Sequence, residues 1–109
     1  MEELVAKGEG VYQMNCVACH QVNGAGIPGI FPALAGSDIV LNNKPRNVEI
    51  LMEGVQGAAM QSFANQLSEV DMAAVITYTR RAWGNDAKGD DEIVVPKEIV
   101  EYKENKIKI

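Results

Sequence analysis

One pentapeptide, Cys16-Val-Ala-Cys19-His20, constrains this sequence more than any other feature. A C-x-x-C-H run is the attachment site of a c-type haem, in which two thiols form thioether bonds to the porphyrin and the adjacent histidine ligates the iron. The chain has two cysteines and one histidine, and all three lie in this motif. The sequence therefore predicts one covalently attached haem, with Cys16 and Cys19 as its thioether links and His20 as an axial ligand.

Three other kinds of site use a cysteine pair of this spacing. A redox-active dithiol normally follows a strand of a βαβ unit, and nothing before residue 16 resembles a strand. A structural zinc site needs four ligands, and no further cysteine or histidine exists. A plain disulfide would leave His20 unexplained. The haem interpretation is favoured, and a zinc or dithiol domain without haem is the alternative that a colourless protein would support.

Length and charge limit the remaining possibilities. A chain of 109 residues with 47% hydrophobic residues predicts one globular domain with a modest core, which a large apolar cofactor would extend. Its net charge of -5 argues against nucleic acid as a partner. The sequence has neither an apolar run long enough for a membrane span nor a signal peptide. Because haem is joined to such motifs outside the cytoplasm, we expect a leader or a longer parent chain before Met1.

The segment from 2 to 15 has the pattern of an amphipathic first helix. Its apolar face carries Leu4, Gly8, Val11 and Tyr12. A glycine inside a helix costs about 1 kcal/mol relative to alanine, so Gly8 indicates that another helix crosses closely there. Met14 lies only two residues before Cys16 and cannot reach the far side of the haem, so we expect it to fill the core.

An irregular loop is expected from 21 to 36, where four glycines and two prolines occur. Four of its side chains are too apolar for an exposed loop and are expected to line a haem crevice: Ile27, Ile30, Phe31 and Leu34. A ligating histidine usually donates its second ring N–H to a carbonyl, and Pro32 is the candidate acceptor for His20. Pro32 could equally only stiffen a turn, and the sequence leaves both interpretations open.

Two helices are expected between this loop and residue 56. Ser37 and Asp38 resemble the start of a short helical turn, and Pro45 occupies the favoured first position of a longer helix that ends near Gly54. The apolar face of the longer helix carries Val48, Leu51, Met52 and Val55. Met52 is therefore expected in the core and not at the iron.

The stretch from 54 to 66 breaks helical periodicity and carries no charge. Met60 lies in it among small residues that allow close approach of the backbone, forty positions after His20 and shortly before Phe63. The other methionines are terminal, too close to the motif or on helical faces: Met1, Met14, Met52 and Met72. Met60 is therefore the predicted second axial ligand, because Met/His is a recognised haem ligand set, and Phe63 is assigned to the haem pocket.

The best marked helix begins at Ser68, where Ser68-Glu69-Val70-Asp71 resembles a capping box. Its buried face is expected to pack across the first helix at Gly8 and Tyr12. That face carries Met72, Val75, Ile76, Thr79 and Trp83. We expect Trp83 to be a core or interface anchor and not an electron relay.

Beyond residue 84 the composition becomes polar and acidic. Pro96 is expected to begin a final helix that ends near Lys103. We therefore divide the chain into a haem domain, residues 1–84, and a C-terminal extension, residues 85–109, that packs on the domain or trails from it.

As a set, these features resemble a class I cytochrome c. The resemblance covers residues 4–83 and rests on Gly8, Tyr12, the attachment motif, Pro32-Ala-Leu34, Met60, Val75 and Tyr78. It implies an all-α fold with three to five helices around one covalent haem c and with crossed N- and C-terminal helices. It also implies His20 and Met60 as axial ligands, and a Pro32 carbonyl that accepts from His20.

Within that family, the chain most resembles the cytochrome c domain fused to subunit II of bacterial haem-copper oxidases. This resemblance rests on segments 31–37, 58–63 and 75–83. The tail around Pro96 is also similar to the end of that subunit. This resemblance implies a periplasmic location or the outer face of the bacterial cytoplasmic membrane. It implies redox protein partners, among them the dinuclear copper centre of the same oxidase, and a parent chain with a copper-binding domain and membrane helices. Gln61 departs from the pattern, since many relatives have proline after the ligand methionine.

Two axial ligands would leave the iron no open position, which suits one-electron transfer and no catalysis by this domain alone. Whether it forms part of a cytochrome c oxidase stays open at this point. Segments 11–37 and 55–68 contain no Asp, Glu, Lys or Arg, so docking is expected through a small apolar patch with electrostatic steering secondary. The alternatives are a free soluble periplasmic carrier, or a haem-based gas sensor or peroxidase if Met60 is displaced.

Overall fold

The computed structural model describes residues 2–21, 23–27, 33–55, 60, 62–63, 66–89 and 93–107, without the side chains of 2, 18, 19 and 105–107. The helices in these ranges are α1 (Glu2–Asn15), α2 (Val17–His20), α3 (Asp38–Asn42), α4 (Lys44–Glu53), α5 (Glu69–Arg81), a 3₁₀ helix (Ala82–Ala87) and α6 (Pro96–Ile107). These ranges contain no β-strand, and the predicted all-α fold is confirmed. None of the helices described is both long and apolar enough to cross a lipid bilayer.

The first helix, α1, crosses α5 in direct contact at Gly8. A β-carbon added at Gly8 would lie 2.0 Å from the carbonyl oxygen of Ala74 and 2.7 Å from Cβ of Tyr78, so any side chain here would push the helices apart. One turn later, Tyr12 is buried, and its ring centroid lies 5.6 Å from that of Tyr78. The predicted crossing of these helices at Gly8 and Tyr12 is confirmed.

The start of α5 agrees with the sequence, but its end does not. The Ser68 hydroxyl accepts a hydrogen bond from the Asp71 N–H at 3.1 Å, as an N-cap should. The last helical residue is Arg81, because Trp83 and Gly84 both adopt left-handed backbone conformations, with φ of 57° and 81°. The prediction that Trp83 lies on the face of this helix is therefore wrong, since it lies beyond the helix end.

The fourth helix, α4, begins at Lys44, one residue before the predicted start. The Asn43 side chain accepts from the Arg46 N–H at 3.2 Å and so caps the helix at that point. Pro45 is then the second residue of the helix. A backbone N–H at this position has no acceptor within the helix, so proline, which lacks the N–H, loses no hydrogen bond there. Gly54, with φ of 74°, ends the helix as predicted. The buried face contains Val48, Leu51 and Met52, which confirms the core position of Met52.

The C-terminal helix α6 packs against α5, and the segment before it enters the core. Val94 and Ile99 are both fully buried. The Thr77 hydroxyl donates to the Val94 carbonyl and accepts from the Val94 N–H, each at 2.9 Å. The helix predicted from Pro96 is confirmed, and it extends to Ile107.

Candidate haem site

The attachment motif spans the junction between α1 and α2. Cys16 lies at the turn between the helices and is half-buried against the hydrophobic core. Cys19 lies in α2, and its side chain is outside the described residues. His20 is the last residue of α2 and is half-buried, and its N–H donates to the Cys16 carbonyl at 2.9 Å. One helical turn therefore fixes the spacing between the first thiol and the imidazole.

The backbone after His20 is held from two directions. The Tyr12 hydroxyl donates to the Gln21 carbonyl at 2.6 Å, and the Gly26 N–H donates to the His20 carbonyl at 3.0 Å. Gln21 has φ of 70°, which non-glycine residues rarely adopt, so the chain turns sharply at this point. Burial raises the pKa of the Tyr12 hydroxyl. The hydroxyl therefore keeps the proton with which it binds Gln21.

Gly24 closes the irregular loop that follows the motif. Its carbonyl accepts from the N–H groups of Leu34 and Ala35 at 2.7 and 3.0 Å. Gly24 has φ of 69°, and a β-carbon there would lie 2.6 Å from the Trp83 ring, so no larger residue fits beneath that ring. Trp83 in turn makes an edge contact with Tyr12, at a centroid distance of 5.2 Å. The left-handed backbone at Trp83 thus directs its ring over the loop.

The buried side chain of Asn85 joins this loop to α5. It is 0% exposed, and its Nδ2 donates to the Thr79 carbonyl at 2.8 Å and to the Leu34 carbonyl at 3.2 Å. Its Oδ1 accepts from the Gly36 N–H at 2.9 Å. From the sequence, Asn85 is only part of the polar extension, and this role was missed. An asparagine that follows a helix and a glycine is too common a pattern to have revealed it.

Hydrogen bonds to α4 and to Val55, just beyond its end, hold the segment that carries Met60. The Val55 N–H donates to the Met60 carbonyl at 2.9 Å, and the Phe63 N–H donates to the Leu51 carbonyl at 2.9 Å. The Ser62 hydroxyl donates to the last turn of α4 as well. Met60 is half-buried and packs against the core, to which the buried Phe63 belongs. This segment therefore presents Met60 beside the C-terminal end of α4.

The fold brings several predicted site residues to one apolar cluster. Cys16, Leu34 and Met60 all pack against the core that contains Phe63. One segment thus supplies a thiol and an imidazole one helical turn apart, a distant segment of the same small fold supplies a thioether, and this donor set fits a His/Met haem c. Ile27, expected in the crevice, is half-buried. Three predicted crevice residues lie outside the described residues: Ile30, Phe31 and Pro32.

Met14 does not fill the core, so that prediction is wrong. Its side chain is 86% exposed. Because Met14 follows Tyr12 by two positions, it lies about 200° around the helix, and the buried Tyr12 turns Met14 to the solvent. The surrounding segments 11–37 and 55–68 carry no Asp, Glu, Lys or Arg. An exposed thioether side chain therefore stands next to the attachment motif in a part of the chain without formal charge.

Comparison with known protein families identifies the family of this chain. A family model described as cytochrome C oxidase, cbb3-type, subunit III matches residues 3–78. The chain belongs to the cytochrome c family. As a cytochrome c it is an electron carrier, and covalently bound haem c is its cofactor, as the motif predicts.

Relatives of this cytochrome c differ in size. Cytochrome c-552 of Thermus thermophilus is 40% identical over 97 residues, which cover 76% of this chain and 72% of that protein. The cytochrome c subunit of alcohol dehydrogenase (quinone) of Gluconobacter oxydans (strain 621H) is 35% identical over 92 residues, which cover 75% of this chain. The chain spans only 19% of the length of that subunit.

Proposed function

We propose that this cytochrome c carries single electrons through a haem c attached by Cys16 and Cys19, with His20 and Met60 as its iron ligands. The observation that supports this most strongly is that Cys16 and Met60, from distant parts of the chain, pack against one core. When bound, haem c supplies an iron that alternates between the ferric and ferrous states. His20 and Met60 together would leave no axial position for oxygen or a substrate.

The polypeptide's own contribution is to hold both ligands in fixed positions and to keep water away. The hydrogen bond from Tyr12 to Gln21 restrains the backbone beside His20, and the bond from Val55 restrains Met60. Rigid ligands reduce the rearrangement that accompanies a change of charge. Methionine ligation in an apolar crevice also favours the ferrous form and raises the reduction potential.

Replacing Met60 with alanine tests the ligand assignment. We expect the oxidised wild-type protein to have a weak near-infrared band from sulfur-to-iron charge transfer, and we expect Met60→Ala to lose it completely, because alanine offers no sulfur. The matched control is Met14→Ala, which removes an exposed methionine and should keep the band. A wild type without the band, or a Met60→Ala variant that keeps it, would contradict the assignment.

We also propose that the electrons pass to or within a respiratory terminal oxidase, on the periplasmic side or outer face of the membrane. The support is the family description, which names an oxidase subunit, and the resemblance of three segments to the domain fused to oxidase subunit II. In that arrangement the dinuclear copper centre of the oxidase is the redox partner.

The 35% sequence identity to the cytochrome c subunit of alcohol dehydrogenase (quinone) favours a second candidate function, that of an electron carrier within a dehydrogenase complex. Stopped-flow mixing of the haem-loaded protein with a purified oxidase and with a quinone-dependent dehydrogenase would separate the two. We expect fast electron transfer with the oxidase. Fast transfer with the dehydrogenase alone would favour the second candidate.

If the protein docks on its partner through an uncharged surface, the rate of electron transfer should depend only weakly on salt concentration. We expect the second-order rate of electron transfer to change less than about threefold between about 0.01 M and 0.5 M salt, because few charges steer the encounter. Met14→Glu should slow the same reaction at least about fivefold, since interface centres are depleted of charged residues. Val100→Glu, at an exposed position of α6, is the control and should have little effect. A steep salt dependence would argue for charged docking instead.

A further inference from the structure

The backbone of Gln21 is held in a conformation that glycine adopts easily and other residues avoid. Its φ is 70° and its ψ is 162°, which is far from the ψ of about 47° found in the left-handed helical conformation. This region is populated almost only by glycine, because a β-carbon there is crowded by its own backbone. Such a conformation costs free energy and persists only where neighbouring contacts enforce it. Gln21 therefore stores strain directly after His20.

Four hydrogen bonds fix the two peptide groups that flank Gln21. On the side of His20, the Gln21 N–H donates to a carbonyl of α2 at 2.8 Å, and the His20 carbonyl accepts from the Gly26 N–H at 3.0 Å. On the other side, the Gln21 carbonyl accepts from the Tyr12 hydroxyl at 2.6 Å and from the Gly24 N–H at 3.1 Å. Because φ and ψ describe how the two flanking peptide groups are rotated, these bonds impose the strained conformation.

Three of the four donors are backbone N–H groups, and the fourth is the Tyr12 hydroxyl. Tyr12 is 1% exposed, and its ring packs against those of Tyr78 and Trp83, at centroid distances of 5.6 and 5.2 Å. The hydroxyl therefore reaches Gln21 from a rigid position at the crossing of α1 and α5. It is also the one bond of the four that a side-chain replacement can remove without changing the backbone of the loop.

The same bonds determine the direction of the His20 side chain. The His20 N–H donates to the Cys16 carbonyl at 2.9 Å, and the His20 carbonyl belongs to the peptide group that is bound on the side of Gln21. With the backbone held on both sides of its α-carbon, the Cα–Cβ bond of His20 has one direction. Contacts one step removed from a metal ligand orient the ligand and tune the metal. A change in the conformation of Gln21 would therefore turn the imidazole.

We propose that the Tyr12 hydroxyl and the strained backbone of Gln21 form a brace that sets the orientation of the His20 imidazole on the iron. Tyr12 and Gln21 are positioning residues, because both act through His20. The inference rests on the haem site proposed above. The strain itself is a property of the polypeptide and can be measured separately.

Replacing Gln21 with glycine tests the strain. We expect Gln21→Gly to raise the ratio of folded to unfolded protein by up to about tenfold, because the relieved strain exceeds the freedom that glycine adds to the unfolded chain. The matched control is Gln13→Gly, at an exposed position inside α1, where glycine should lower the ratio by about threefold. Denaturant titration of the haem-loaded proteins gives both ratios. If Gln21→Gly lowered the ratio as much as Gln13→Gly does, residue 21 would carry no strain and the proposal would be overturned.

Replacing Tyr12 with phenylalanine tests the orientation of the His20 ring. In the ferric protein, the proton NMR shifts of the haem methyl groups depend on the direction of the axial ligands. We expect Tyr12→Phe, which removes one hydroxyl, to change the order and spread of these shifts, because Gln21 relaxes and His20 turns. Tyr78→Phe is the matched control, since it removes the hydroxyl of the neighbouring ring and should leave the methyl shifts in place.

The double variant separates the brace from a general loosening of the core. In the Gln21→Gly background the conformation of residue 21 is no longer strained, so Tyr12→Phe should move the methyl shifts much less there than in the wild-type background. If the Tyr12 hydroxyl served stability alone, Tyr12→Phe would destabilise both backgrounds equally and leave the methyl shifts unmoved. That result would overturn the proposal.

Two further signals distinguish failure of the brace from failure of the haem site. Pyridine haemochrome and the near-infrared band, measured on the wild-type preparation, report whether the haem is attached and ligated by sulfur. With both signals present, methyl shifts that do not respond to Tyr12→Phe overturn the brace alone. Without them the proposed haem site fails, and the brace fails with it.

Discussion

Replacing Gly8 with alanine is expected to lower the free energy of unfolding of the haem-loaded protein by at least about 3 kcal/mol, the upper range for overpacking a core. The new Cβ would lie 2.0 Å from the carbonyl oxygen of Ala74 and 2.6 Å from its carbonyl carbon. A backbone group within a helix cannot rotate aside as the tip of a side chain can. The two helices α1 and α5 would have to separate, which would also loosen the contact of Tyr12 with Tyr78. Guanidinium titration followed by circular dichroism would measure the loss.

Gly10→Ala is the matched control for this effect. Gly10 lies in the same helix, and nothing is within 4 Å of a β-carbon placed there. Alanine at this exposed helical position should stabilise the protein by about 0.5–1 kcal/mol through helix propensity. The difference between the two variants therefore isolates the helix crossing. Equal stabilities of Gly8→Ala and Gly10→Ala would mean that α1 and α5 are not in contact at Gly8.

Replacing Asn85 with alanine should remove about 3 kcal/mol of stability, because each buried polar group left without a partner costs about 1–3 kcal/mol. The carbonyl of Thr79 and the N–H of Gly36 would lose their bonds to the Asn85 side chain. The carbonyl of Leu34 would lose one too, but it keeps the Ser37 N–H as a donor at 3.2 Å. The change also detaches the Leu34 loop from α5, so we expect water to enter the haem crevice and the reduction potential to fall. Denaturant titration and redox potentiometry on one preparation would measure both effects.

Asn42→Ala is the control for Asn85. The exposed side chain of Asn42 donates to the Asp38 carboxylate at 3.1 Å, and both residues lie in α3. Removing an exposed bond of this kind should change stability by less than about 0.5 kcal/mol. If Asn85→Ala lowered stability no more than Asn42→Ala does, the Asn85 side-chain amide would not be holding the Leu34 loop. If stability fell while the potential stayed constant, the loop would not be part of the haem crevice.

Features that depend on neighbouring residues or on covalent chemistry were predictable from the sequence. The Cys16 to His20 motif fixes the cofactor because its spacing is set by the porphyrin itself. The cap at Ser68 and the stop at Gly54 were predictable because both act within one helical turn. Gly8 also revealed the helix crossing, since a glycine inside a helix is costly and its place on the apolar face of α1 needs a reason.

Features that depend on distant contacts were not predictable. Trp83 leaves the helix because its ring packs over Gly24 and beside Tyr12, which no local pattern encodes. The Asn85 side chain binds Gly36 and Leu34, which precede it in the sequence by 49 and 51 positions. The prediction that Met14 lies in the core failed for a different reason, because the position of Met14 relative to Tyr12 already placed it on the opposite face of α1. Only its hydrophobicity favoured the core.

The crossing at Gly8 and Ala74 encloses the candidate haem ligands between its two sides. Cys16, His20 and Met60 all lie on the chain that this contact closes into a loop. Closing a long loop costs chain entropy, and every bond from the haem to that loop divides it into shorter ones. The thioether links to Cys16 and Cys19 close a loop of only a few residues, so the proposed bond from the iron to Met60 is the one that would join distant parts of the chain. Ligation by Met60 and folding would in this sense be one thermodynamic process, in which the attached cofactor serves as a crosslink between the two segments.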